Sequence, residues 1–92
     1  MKTIKETLVD MKQFLQDHNW IQKRLEDNKG GYCLLGALCN VESEDYPSSA
    51  TYKFLCEHLQ TPVGDLSSWN DAPGRTKNEV LAVLDQAIEK VS

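Results

Sequence analysis

The run Cys33-Leu34-Leu35-Gly36-Ala37-Leu38-Cys39 has no polar face. A helix that is apolar all round must be covered on most of its sides. Whatever this chain folds into therefore has to wrap the remaining residues around this segment. Gly30-Gly31 precedes the run as a turn signal. Gly36 lies inside it, where glycine costs up to about 1 kcal/mol relative to alanine. A glycine at that position points to close packing by another stretch of backbone. Tyr32 to Asn40 is accordingly expected to be a short, central, buried helix.

Two amphipathic helices offer the cover. Thr3-x-x-Glu6 is a capping-box pattern, and Ile4, Leu8, Met11, Leu15 and His18 follow at helical spacing, with Phe14 widening the stripe. This predicts a helix over residues 3–18. Thr76-x-x-Glu79 repeats the signal ahead of Val80, Leu84, Ala87, Ile88 and Val91, which predicts the last helix. A third runs from about Ser48 to Leu59, capped by Ser48 or Ser49, with Phe54, Leu55 and Leu59 facing the core and Tyr52 beside them. Trp20 to Asp27 reads two ways. It is either a second short helix, with Ile21 and Leu25 four apart, or an extended stretch entering the Asn28-Lys29-Gly30-Gly31 turn; the helix is favoured. Gln60 to Gly74, with Pro62, Gly64, Pro73 and Gly74, is expected to be a long irregular connection anchored by Leu66 and Trp69. The fold class is thus all-α: one domain over residues 1–92, four to five short helices around a single core, with a minor extended or hairpin segment near residues 20–33.

Charge narrows the partners. The net charge is −4, unevenly spread: residues 1–31 carry six Lys/Arg against five acids, whereas residues 32–71 carry only Lys53 against six. Binding to a nucleic-acid backbone needs a basic face, so none is expected. The acidic segment Glu42, Glu44 and Asp45 is a solvated loop in the plain reading, and in the sharper one a patch presented to a protein partner with a basic surface. The N-terminus has no apolar core of a secretory signal, and the longest apolar run is far below the ~20 residues of a membrane span. Three Cys, an odd number, fit reduced thiols in the cytoplasm.

Cys33, His58 and Asp71 (or Asn70) are the residue types of a nucleophilic triad, and a helix N-terminus at Cys33 would lower its pKa. Against that, Cys is among the most buried residue types and here heads an apolar run. Cys33, Cys39, Cys56 and His58 do not have the close paired spacing of a structural zinc site, so no metal is expected. No cofactor is expected either, because the chain has no Walker loop, no dinucleotide glycine fingerprint, no His-Glu-x-x-His and no nucleophile elbow. Trp69-Asn70-Asp71 before Pro73-Gly74 is the strongest polar candidate. Asn and Asp side chains bond nearby backbone amides, so the plain reading is a knot that seats Trp69 in the core, with Arg75 pairing to Asp71 across the turn.

Taken together, Trp20, Cys33-Leu34-Leu35-Gly36-Ala37-Leu38 and Trp69-Asn70-Asp71-x-Pro73-Gly74-Arg75-Thr76-x-x-Glu79-Val80, with the closing Ala87-Ile88, resemble a family of small uncharacterised domains of bacteria and their phages. The resemblance covers roughly residues 14–90 and implies an architecture, not a mechanism. Relatives often have a longer, Gly-containing segment between the Trp and the Cys; here it is compact. The expected function is a small non-enzymatic protein-binding module, a phage-encoded inhibitor of a host defence protein in its sharpest form, acting in the host cytoplasm. Its contact residues would be Glu42, Glu44, Asp45, Asn70, Asp71 and Arg75. The competing expectation is a small Cys-dependent hydrolase or transferase using Cys33, His58 and Asp71. A third is a toxin-like or regulatory subunit active only in a complex.

Overall fold

A computed structural model describes residues 3–42, 49–61 and 65–92. The element order is α1 (Ile4–Asp17), β1 (Asn19–Trp20), β2 (Gly31–Tyr32), α2 (Leu34–Val41), α3 (Ala50–His58), α4 (Leu66–Asn70) and α5 (Lys77–Lys90). The fold is mostly α, as the hydrophobic spacing implies.

Both halves of the predicted capping box form at α1. The Glu6 amide donates to Thr3 Oγ1 at 3.1 Å, and the Thr3 amide donates to Glu6 Oε1 at 2.9 Å. At α5 the Thr76 hydroxyl accepts from the Glu79 amide, but the Glu79 carboxylate goes to Arg75 instead of reaching back. The core joins Leu8, Met11 and Leu15 of α1, Leu34, Leu35, Ala37 and Leu38 of α2, Tyr52, Leu55 and Cys56 of α3, Leu66 of α4, and Val80, Leu84 and Ala87 of α5. α2 is therefore the covered central helix that its sequence requires. On α3, Tyr52 is the deeply buried aromatic, while Phe54 and Leu59 are only half-buried.

Three expectations are corrected. Trp20 to Asp27 is not helical: Asn19–Trp20 pairs in parallel with Gly31–Tyr32, and Glu26 bridges Tyr32 from the antiparallel side. Tyr32 is thus flanked by backbone on both sides, and a helix there would leave its amide and carbonyl without those partners. It belongs to β2, so α2 begins only at Leu34. The stretch from Gln60 to Gly74 is not wholly irregular. It contains α4, which buries Leu66 completely.

Candidate functional site

α4 is five residues long and ends by turning Asn70 into the interior. Every hydrogen-bonding position of that side chain is filled. Its Oδ1 accepts from the Trp20 indole N–H at 2.7 Å and from the Leu34 amide at 3.1 Å. Its Nδ2 donates to the Ile21 carbonyl at 3.2 Å and to Asp71 Oδ1 at 3.1 Å. One amide therefore ties together β1, the segment after it, the start of α2 and the end of α4.

The neighbours of Asn70 extend the tie. Asp71 Oδ1 accepts from the Lys23 amide at 2.8 Å, and Gln22 Nε2 donates to the carbonyls of Asn70 and Ala72, each at 3.0 Å. Lys23 sits at φ +72°, a left-handed conformation uncommon for a residue with a side chain. Such strain persists only where surrounding contacts over-determine it, and the Asp71 carboxylate supplies one of those contacts. From the other side, the Leu25 carbonyl accepts from the Cys33 amide at 3.2 Å and lies so close to Gly36 that a Cβ there would collide with it. Gly36 is thus the contact point for a second backbone that its sequence position suggests. The loop between β1 and Asp27 is held at both faces and presents Lys23, Arg24 and Leu25 to solvent, with Leu25 at 49% exposure.

Beneath the loop lies a cavity of about 140 Å³, lined by Lys23, Arg24, Leu25, Cys33, Ser67 and Asp71. Two of the three triad candidates meet here. The third does not: His58 stacks on Phe54 of α3 and is not part of the lining. Cys33 is the N-cap of α2, 3% exposed, and its Sγ accepts from the Gly36 amide at 3.3 Å. Burial pushes its thiol pKa up, against the pull of the Gly36 and Leu35 amides, and the Asp71 carboxylate adds to the rise. The expected lowering by the helix N-terminus is therefore reversed, because desolvation outweighs the local N–H donors.

Arg75 does not pair with Asp71, whose Oδ1 is turned towards Lys23 and Asn70. It donates through Nε to the Trp69 carbonyl at 3.0 Å, lies 4.0 Å over the Trp69 ring, and pairs with Glu79 at 2.9 Å. Trp69 is therefore half-buried, packed against the core and covered by a guanidinium. Glu42 accepts a 3.1 Å bond from the hydroxyl of Ser49, the N-cap of α3. Glu44 and Asp45 lie outside the described residues. Among the described residues, no group of three or more His, Cys, Asp or Glu is placed to hold a metal ion, and no helix is long and apolar enough to cross a membrane.

Sequence reasoning missed the partnership of Trp20 with Asn70 and the display of Lys23, Arg24 and Leu25. Gly36 pointed to a close backbone contact without saying from where. A Lys-Arg pair beside Leu25, in an otherwise acidic chain, was the other available signal.

No curated protein and no solved structure matches the chain. A family model matches residues 1–90 of the 92, so this chain belongs to a family of unknown function, DUF6197.

Proposed function

We propose that the protein is a non-enzymatic protein-binding module of bacterial or phage origin. Its contact surface lies on the outward side of the knot, where the loop carrying Lys23, Arg24 and Leu25 meets the turn from Asn70 to Arg75. The observation that carries this is the immobilised loop. Asn70, Asp71, Gln22 and Gly36 all act on it, and what they hold in place is a strained backbone and an exposed leucine. A preordered loop gives up little entropy on binding, and strained backbone clusters at binding and switch regions. Asn70 itself is buried, so within this surface it is a positioning residue. Asp71 and Arg75 remain partly accessible.

A Cys-dependent enzyme draws little support from the same geometry. Its nucleophile is buried with a raised pKa, and its base lies outside the cavity. Thiol alkylation at neutral pH separates the two readings. Cys33 should label more slowly than the exposed Cys39 in the folded protein. Faster labelling of Cys33 would overturn the non-enzymatic reading. Binding is tested by affinity capture from host lysate with wild type and with Leu25→Asp. The same partner should be captured by the first and lost by the second.

The finer form, a phage inhibitor covering a basic host surface with the acidic segment around Glu42, Glu44 and Asp45, rests on the net charge of −4 and on the family resemblance. It predicts capture that weakens steeply with added salt. Salt-independent capture would remove the acidic segment from the mechanism.

A further inference from the structure

We infer that the Lys23–Leu25 loop docks an acidic protein segment. Carboxylates of the partner would meet Lys23 and Arg24, and an apolar side chain would pack on Leu25 at the mouth of the cavity. This rests on the protein-binding reading above and adds the chemistry of the partner.

The loop is a basic island on an acidic molecule. Lys23 and Arg24 are both exposed, and among the described residues neither side-chain cation makes an ion pair or a hydrogen bond. The paired cations elsewhere behave differently: Lys12 is joined to Asp85, and Arg75 to Glu79. Two acidic groups beside the loop, Asp71 and Asp27, are engaged by hydrogen bonds, and Arg24 acts electrostatically on Asp27. Asp71 accepts from the Lys23 and Asn70 donors, and Asp27 accepts from the Lys29 and Gly31 amides. Glu26 is exposed and bounds the basic pair on its C-terminal side. The two cations precede, and Glu26 follows, a leucine that is half in solvent, one of two large apolar side chains so exposed among the described residues. The other, Val9, lies on α1 with Lys5, Glu6 and Asp10 around it, one cation against two acids and no basic pair.

The pocket beneath adds a shape requirement. A volume of about 140 Å³ is close to that of a protein cavity that admits a benzene molecule, so it suits one apolar side chain and no larger ligand. Cys33 and Leu25 give it apolar lining, Lys23 and Arg24 contribute two cations, and Ser67 and the hydrogen-bonded Asp71 complete the lining. The amides of Leu34 and Gly36 at the start of α2 are bonded to Asn70 and Cys33. The cavity therefore offers no free helix N-terminus to a bare phosphate, which favours a carboxylate-bearing peptide over a nucleic acid.

A random dodecapeptide display library, selected on the intact protein, tests this directly. The expected winners carry an apolar residue flanked by Asp or Glu. Lys23→Glu combined with Arg24→Glu should cut their recovery roughly tenfold, as reversing two lining charges implies. Leu25→Asp should remove the selection for the apolar residue. Winners without acidic bias, no enrichment over background, or enrichment that survives both variants would each overturn the inference. A 20-base-pair DNA duplex serves as the second probe: binding lost with the charge reversals but kept in Leu25→Asp would also overturn it, in favour of nucleic acid. If lysate capture depends on Leu25 while the library shows no acidic bias, the binding reading stands and this inference alone fails.

Discussion

The packing of α1, α2 and α5 and the knot around Asn70 hold the same small molecule together by different means. In the first, Leu8, Met11, Leu15, Leu38, Val80 and Leu84 are fully buried aliphatic side chains whose contribution is non-directional and follows area and volume. In the second, one amide satisfies an indole N–H, a backbone N–H, a backbone carbonyl and a carboxylate at fixed angles. The difference is one of tolerance. A core position accepts another hydrophobe of similar volume, whereas no other uncharged side chain of Asn70's size both accepts and donates in this pattern.

The largest expected effect tests that contrast. Asn70→Ala removes the partners of the Trp20 indole, the Leu34 amide and the Ile21 carbonyl. Unmet buried groups cost about 1–3 kcal/mol each, so a loss of about 4 kcal/mol is expected, a large fraction of a small domain's total. Leu84→Ala should cost about 3 kcal/mol through lost burial and a residual cavity. The sharper comparison uses volume-matched changes in urea unfolding. Leu84→Met should cost less than about 1.5 kcal/mol, while Asn70→Leu should cost as much as Asn70→Ala. Equal tolerance at the two positions would dissolve the distinction.

Gly36→Ala comes next, at about 2 kcal/mol, because the new methyl meets a backbone carbonyl with little freedom to move. Its signature is local. Amide exchange at Lys23 and Cys33 should accelerate more than exchange within α5, since the Leu25 carbonyl is displaced from one side of the loop. Uniform acceleration across the chain would mean that Gly36 supports the core alone.

The same contrast explains what was legible in the sequence. Apolar periodicity and capping are local signals, and they located α1, α3 and α5 to within a residue or two. The knot's tertiary bonds join residues 36 to 50 positions apart, and nothing within a short window records that Trp20 will meet Asn70. Ile21 and Leu25 are four apart and imitate a helix, yet tertiary bonds to Asn70 and Asp71 impose a bent and partly left-handed path. Lys23 carries no local mark of its positive φ, which is usually signalled by Gly or Asn. The turn chemistry of the Asn70-Asp71 pair marks it as a candidate. Its partners were legible only in three dimensions.

Helix caps give a smaller effect that separates the two capping arrangements. Thr3→Ala should cost about 1 kcal/mol; it keeps the backbone amide that is the larger cause of Glu6's lowered pKa but removes the hydroxyl that adds to the lowering. Thr76→Ala should cost a similar amount without that consequence, because Glu79 is held by Arg75. Thermal unfolding at two pH values distinguishes them. Only Thr3→Ala should lose part of the wild-type's sensitivity to acid.

The weakest expected effect lies in the turn below the loop. Asp27 Oδ1 accepts from the Lys29 and Gly31 amides, each at 2.8 Å, and these bonds hold its carboxyl below the usual range. A depressed pKa means that the unfolded chain takes up the proton first as pH falls. Asp27 therefore stabilises the fold fully above the unfolded carboxylate value of ~3.9, and this contribution disappears as pH drops through the lower folded value. Asn70 carries no titratable group, so its bonds to the Trp20 indole, the Leu34 amide and the Ile21 carbonyl should persist while this turn loosens. Asp27→Asn keeps an oxygen acceptor for both amides but has no proton to gain. Below the folded pKa the wild type should lose its advantage over the variant, whereas above pH 5 it should retain it. Parallel stability curves for the two proteins between pH 2 and pH 6 would show instead that the charge of Asp27 is immaterial to the turn.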